Sequence, residues 1–447
     1  MISSMQNKVN IVLKLLLFSF PILIILGPFA LNCFSVIFTF YALINYKSLK
    51  EFKVFNKRTS IIFFSFIILI FPFGSIEFQG SFFKYVSFFR FILMLFGLII
   101  FLNKENKKND ILKNIYKTYI IFLAIIIIDV LVEYFSGSNL FGYSSSYGDG
   151  GQGRIASFTN DELIIGYILC FLILFTLIFI YKKTNHFNFF VVACIFITVS
   201  FLIGEKSNFI KLFLLMITFT FFHIFYFNKF KVKNFLVTIS IIFILLIPFS
   251  QLAKSTTQGK KLIDLVDTLV VFENNKLSLN IKKEFYNTKH APHYITAYKI
   301  FLEYPIFGMG INNFYLESAK KKYQVKIDCV EQMHRCNDIE VKTGKKIQKY
   351  MPSSTHPHQV YLEIISEVGL TGLIYFIFIF FYPVYISLKS ALRSKEINVV
   401  SHLLLHIFFI FPILPSGSFF GTNYGVPFWF NLSILLYLSY KNLKIYK

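Results

Sequence analysis

Apolar runs close to 20 residues long recur along the whole chain, separated by short stretches rich in Lys and Asn. A helix rising about 1.5 Å per residue crosses a bilayer core of roughly 30 Å in such a run. The pattern predicts twelve spans, at about 11–29, 31–46, 61–77, 82–102, 116–135, 162–181, 187–203, 208–227, 234–250, 360–386, 398–415 and 425–440. Between the ninth and tenth lies a polar stretch, about 251–359, read as one large extracytoplasmic loop. Within it, Ile295 to Phe301 and Ile311 to Lys322 read as short amphipathic helices. Glu303 to Gly310 reads as the Pro/Gly turn between them. The expected fold is an all-α polytopic membrane protein. Transmembrane helices one to nine occupy 1–250, the loop subdomain 251–359 and helices ten to twelve 360–447.

Composition supports the pattern. Hydrophobic residues make up 55% of the 447, including 60 Phe, and the mean hydropathy is +0.62. A soluble chain would have to leave many of these in water, where large apolar surface is a liability. The first run is followed at once by a second and lacks a small-residue cleavage site, so it reads as a retained span.

The net charge of +22 does not point to nucleic acid, because the Lys and Arg sit mostly in short loops between spans. They fall in alternate loops, for example Lys47 to Arg58, Lys104 to Lys117, Lys229 to Lys233 and Lys389 to Lys395. By the positive-inside rule those loops are cytoplasmic, and so are both termini.

Candidate chemistry gathers on the outer side. His290, His293, His334, His356 and His358 all fall in the large loop. Pro357 suits the first turn of a helix. That places His358 in the first turn of span ten, where the helix dipole disfavours imidazolium and attracts anions. A neutral histidine beside an anion site suits a general base for a hydroxyl acceptor; the bland alternative is a solvated loop histidine or a cap. Glu363 and Glu367 share one face of the same helix. Lys84, Arg90, Asp129, Glu133, Glu205 and Lys206 are ionisable groups in or at the ends of other spans, where such residues line cavities or pair with one another. Arg154, Lys206, Lys84 and Arg90 are read as a cationic pocket; pairing of Arg90 with Asp129 is the structural alternative.

Cys33, Cys170 and Cys194 lie in spans and read as packing residues. Cys329 and Cys336 in the loop are expected to pair in an oxidising compartment, and their spacing with His334 matches no standard zinc pattern. The chain has no Walker A motif, no His-Glu-x-x-His and no Asp-x-Asp clamp. The Gly308-Met309-Gly310 turn follows no strand, so it is no dinucleotide fingerprint. On the outer face neither ATP nor a nucleotide sugar is at hand. A donor there must arrive preactivated in the membrane, and a lipid diphosphate fits, its leaving group neutralised by cationic side chains.

Thr355-His356-Pro357-His358-Gln359-Val360-Tyr361-Leu362-Glu363 through Gly369 and Gly372-Leu373 resembles the signature of the O-antigen ligase and polymerase family. Pro305 through Gly308, Gly310 and Phe314 resembles the element that precedes it. Gly153-Arg154 through Phe158, with Gly204-Glu205-Lys206-Ser207, resembles its two upstream elements. The resemblance covers roughly 80 to 435. It implies a multi-pass protein of the bacterial inner membrane that moves glycan from undecaprenyl diphosphate to an acceptor hydroxyl on the periplasmic side. The acceptor would be lipid A-core or a growing glycan, with no metal or other cofactor.

By the same resemblance His358 is the base and Arg154 and Lys206 contact diphosphate. His290 and His293 stand where the family has an arginine. The residues read above on their own chemistry, His356, Arg90, Lys84, Glu363 and Glu367, complete the expected substrate-binding set. Gln359 replaces the usual Asn, and Lys206 a commoner Arg. A transporter or flippase of lipid-linked sugars is the alternative; it should show matching halves with interrupted helices, whereas this chain has one dominant loop late in the sequence.

Overall fold

The computed structural model describes residues 2–49, 65–66, 68–106, 110–143, 154–159, 162, 164–184, 186–222, 270–273, 276–279, 290–328, 348–350, 354–394 and 397–445. Its helices are α1 (Ile2–Phe18), α2 (Phe20–Ile25), α3 (Pro28–Ile44), α4 (Phe78–Asn106), α5 (Ile111–Ser136), α6 (Ile165–Lys183), α7 (His186–Ile203), α8 (Lys206–Phe222), α9 (Ala291–Glu303), α10 (Phe314–Ser318), α11 (Val360–Ser394), α12 (Asn398–Phe409) and α13 (Thr422–Ile445). Two small antiparallel strand pairs accompany them, β1 (Val270–Glu273) with β2 (Lys276–Leu279), and β3 (Lys326–Asp328) with β4 (Gln348–Tyr350). The expected span at 234–250, the Gly/Ser stretch 144–153, His334 and the cysteines Cys329 and Cys336 lie outside the described residues.

Among the described residues four helices are long and apolar enough to cross a membrane: Phe78–Glu105, Ile111–Ser136, Ile165–Lys183 and Val360–Arg393. Pro28–Ile44, Asn188–Leu202 and Asn398–Phe409 are shorter apolar helices. The chain is thus a helical membrane protein.

Helix α6 is apolar and buried nearly all round, and α13 is likewise buried nearly all round with Asn431, Ser433 and Ser439 inside, as expected of central rather than peripheral helices. Phe430 of α13 stacks on Phe20 of α2 with ring centroids 4.1 Å apart, and Phe175 of α6 lies parallel to it at 5.8 Å. The outward faces of α4 and α11 instead expose Phe82, Phe83, Val86, Leu370, Ile374, Phe378 and Phe381. Between helices in lipid, apolar burial gives little driving force, so close packing and interhelical hydrogen bonds hold a bundle. One such bond set is complete here. Tyr116 Oη lies 2.8 Å from His402 Nε2, whose Nδ1 is 2.9 Å from Asn431 Oδ1, and this ties α5, α12 and α13.

Three expectations are corrected. The segment predicted to span 61–77 is helical at 65–66 and 68–69 but turns from Ile70, because Pro72 and Gly74 break it. Its last turn leaves the helix and pairs with the Pro305–Gly310 turn, Ile76 N–H donating to Met309 O over 3.0 Å. Cys33 is exposed rather than packed inside, whereas Cys170 is buried.

The third correction concerns span ten. Helix α11 is broken at Gly369, where φ is 66° and ψ −164°. The Pro305–Gly310 turn fills the break. Leu370 and Thr371 donate to Pro305 O and Ile306 O at 2.8 and 3.2 Å, while Met309 and Gly310 donate to Ser366 O and Glu367 O at 3.1 and 2.9 Å. A break inside a long apolar helix is tolerated when other protein groups take its freed bonds, and here the loop backbone does so. A Cβ on Gly308 would run into Glu367 and Val368, and one on Gly369 into Ile306 and Gly308.

Candidate functional site

The loop helix α9 carries His290 at its N-cap and His293 one turn later, so both imidazoles leave the same side. Buried Ala291, Thr296, Ala297 and Ile300 seat α9, and Thr296 Oγ1 donates to Tyr323 O at 3.0 Å. The other half of the site is the junction 354–359. Ser318 Oγ, from the end of α10, donates to Ser354 O at 3.1 Å and accepts from Ser354 N–H at 3.2 Å.

These two elements bring four histidines together. The ring of His358 has His356 at 4.1 Å, His290 at 5.1 Å and His293 at 5.3 Å between centroids, each tilted by 47–55° to it. His358 Nε2 lies 3.5 Å from Ser354 Oγ. His356 Nδ1 is 3.1 Å from Thr355 Oγ1, and its Nε2 is buried without a hydrogen-bond partner. Burial first, and then the three neighbouring imidazoles, push His358 down from 6.5 to about 2. Burial first, then His293, takes His356 to about 4. Both are therefore neutral at any physiological pH. Among the described residues no group of three or more His, Cys, Asp or Glu side chains is arranged to hold a metal ion.

His358 is not in the first turn of α11. The helix starts at Val360, Gln359 caps it by accepting from Leu362 N–H at 2.8 Å, and His358 stands before the cap with φ +59°. Its neutrality comes from burial and its neighbours, and the helix terminus is not needed to explain it. That left-handed backbone is uncommon for a residue with a side chain and needs outside support. Ser416 N–H supplies it, donating to His358 O at 2.9 Å.

The basic corner is a second cluster. Arg154 lies 3.5 Å from Glu205, which also accepts from Gly166 N–H at 3.3 Å and from Asn208. Burial pushes the Glu205 carboxyl up while Arg154 pulls it back down. Gly204 turns the chain at φ +84°, and Lys206 is exposed at the first position of α8. Arg154 thus shares its charge with a carboxylate.

Arg90 does not meet Asp129. It donates to Ser87, Asn32 and Thr422, joining α4, α3 and α13. Asp129 instead accepts from Leu140 N–H at 2.8 Å and from Ser157, and Glu133 accepts from Ser157 N–H at 2.7 Å and Ala156 N–H at 3.3 Å. These two carboxylates hold both ends of the loop that carries Arg154. Glu363 and Glu367 do face inward. Glu363 is engaged by Ser418 and by Phe419 N–H at 2.7 Å, and Glu367 by the backbone N–H groups of Asn312 and Phe314. Lys84 acts electrostatically on both.

Two further residues connect the clusters. Lys211 and Ser207 of α8 both donate to Pro415 O, at 2.7 and 3.0 Å, and the next N–H along the chain is the one on His358. Lys211 is 1% exposed. A lysine inside the apolar run of α8 could have been flagged from sequence, since ionisable groups in spans are costly and so informative. Ser416 carried no signal at all. No family model matches the chain, and a search of curated proteins returns no match.

Proposed function

We propose that the chain is a bacterial inner-membrane glycosyltransferase of the O-antigen ligase and polymerase type, built on twelve spans with cytoplasmic termini and its large loop in the periplasm. One observation carries this reading. His358, which matches the family's signature histidine, does not stand alone: His290, His293 and His356 all close on it, just before the long apolar helix that is broken at Gly369.

The chemistry is a substitution at the anomeric carbon of a glycan held on undecaprenyl diphosphate. An acceptor hydroxyl, on lipid A-core or a growing glycan, gives its proton to the imidazole of His358, and its oxygen forms the new glycosidic bond. The old bond to the diphosphate oxygen breaks, and the diphosphate leaves with the electron pair. Arg154 and Lys206 neutralise that leaving group, and the step calls for no metal. An imidazole held near 2 is a weak base on its own. A diphosphate drawn in beside it favours the imidazolium and raises its basicity, so proton uptake is linked to donor binding.

The test is His358→Ala in a strain lacking the native copy, with membrane expression confirmed and surface glycan and carrier-linked intermediates resolved on gels. Loss of surface polymer with accumulating carrier-linked glycan is expected. Long chains left on the carrier identify a ligase and single units a polymerase. Full complementation by the well-expressed variant overturns the mechanism.

A further inference from the structure

We propose that the exposed face of α9 and the turn after it rest in the outer leaflet, docked on the interfacial layer of an anionic phospholipid bilayer. The inference depends on the membrane-spanning character of the helices and takes the side of the membrane from the proposed topology, and it does not depend on the transferase chemistry.

Helix α9 is buried on one side only. Its other side and the following turn expose Tyr298, Leu302, Ile306 and Phe307, between 48% and 59%. In a loop surrounded by water this would be an apolar stripe with nothing to cover it. Two observations say what covers it. The stripe continues into the belt of the spans: the Phe307 ring lies 6.0 Å from that of Phe73, itself 64% exposed, and Leu370 and Ile374 are exposed immediately beyond the break that receives Pro305 and Ile306. The surface that lipid covers on α11 therefore runs without interruption onto the loop.

The second observation is charge. Residues 299–322 hold Lys299, Lys320, Lys321 and Lys322 against Glu303 and Glu317, and the last three lysines are exposed beside exposed Tyr315. Lys322 reaches Glu303 at 2.7 Å, which leaves the segment a net cation. Apolar side chains below, aromatic residues at the edge and lysines above is the arrangement of an element lying in the interface, the cations favouring anionic headgroups. Its effect is to fix the height of His290 and His293, at the other end of the same helix, above the membrane.

The experiment places tryptophan at Phe307, Leu302 and Tyr298 in turn, and at Phe378 on α11 as a reference. The full-length variants are reconstituted in nanodiscs of phosphatidylethanolamine and phosphatidylglycerol brominated either near the head or near the end of the acyl chain. Emission is compared with the wild type, whose single Trp429 is buried. The loop tryptophans are expected to lose emission to the head-proximal bromines, and Phe378→Trp to the chain-end bromines. Quenching of Phe378→Trp alone overturns the proposal and leaves the membrane reading standing. Quenching of neither overturns both. Loop quenching mainly by the chain-end bromines overturns the interfacial placement.

Discussion

Lys211 and His358 grip opposite sides of one peptide group. The Lys211 ammonium, with Ser207 beside it, donates to Pro415 O at 2.7 Å, and the N–H of the same peptide unit, on Ser416, donates to His358 O at 2.9 Å. A peptide polarised by a cation at its oxygen is a stronger donor at its nitrogen. A buried charge on α8 therefore steadies the left-handed backbone of a histidine 147 positions later.

On the proposed transferase reading, Lys211→Met should leave the protein in the membrane and slow glycan transfer on the order of 10- to 100-fold, because a small misplacement of a reacting group costs that much. Lys211→Arg keeps a donor and should retain more activity. Equal, wild-type rates for both variants in a reconstituted transfer assay would remove Lys211 from the positioning of His358.

Acid should destabilise the fold through the histidine cluster. Unfolded histidines take up protons below about 6.5, while native His356 resists until about 4 and His358 until about 2. The unfolded state thus binds more protons in that window. Stability from this source is fully present above pH 6.5 and falls as pH drops through 4, by at most about 1.4 kcal/mol per pH unit for each histidine. Melting curves in detergent between pH 7.5 and roughly 4.5 should show the decline, and His358→Asn should flatten it. A melting temperature independent of pH across that range would contradict the cluster's burial.

Gly308→Ala and Gly369→Ala should each lower stability by about 2 kcal/mol or more, since both residues have positive φ and both Cβ positions are filled by the opposing backbone. Gly372→Ala is the contrast: its φ is not in the left-handed region, and only the side chain of Val368 stands close. A thermal shift ranking Gly372→Ala as the most damaging of the three would count against the loop filling the helix break.

Glu133→Gln keeps the shape of the clamp on Ala156 and Ser157 but removes its charge. The backbone N–H bonds it weakens are each worth about 1.5–3 kcal/mol when the acceptor is ionised. Arg154 is two residues before Ala156, so on the proposed reading, in which Arg154 meets the donor's diphosphate, the expected result is a raised KM for lipid-linked donor with a smaller change in kcat. A change confined to kcat would mean that the loop does not present Arg154 to the donor.

Much of the architecture could be read from the chain because membrane helices announce themselves by length and apolarity. The expectations at 82–102, 116–135 and 162–181 correspond to α4, α5 and α6, with ends differing by a few residues. The pairing of His290 and His293 with His356 and His358 was legible only as residue types in one loop; their convergence depends on how α9 sits on α11, which no local pattern encodes. The turn at Pro72 was readable as a breaker, yet the apolar residues around it masked the end of the helix. Asp129 and Glu133 looked like partners for cations, but their oxygens accept mostly from backbone N–H groups, with the Ser157 hydroxyl as the one side-chain donor among the described residues. Such bonds leave no mark on side-chain composition. The Pro415–Ser416 peptide was invisible for the same reason.

The splice at Gly369 also sets an order of events during synthesis. Residues 305–313 hydrogen-bond to 72–77 on one side and to 366–371 on the other, so this middle segment has no complete seat until the last of the three has left the ribosome and entered the bilayer. A nascent chain halted before α11 would hold His290 and His293 with nothing to gather around. The four imidazoles come together only once roughly the final fifth of the polypeptide is in place, so a partly made chain lacks the cluster.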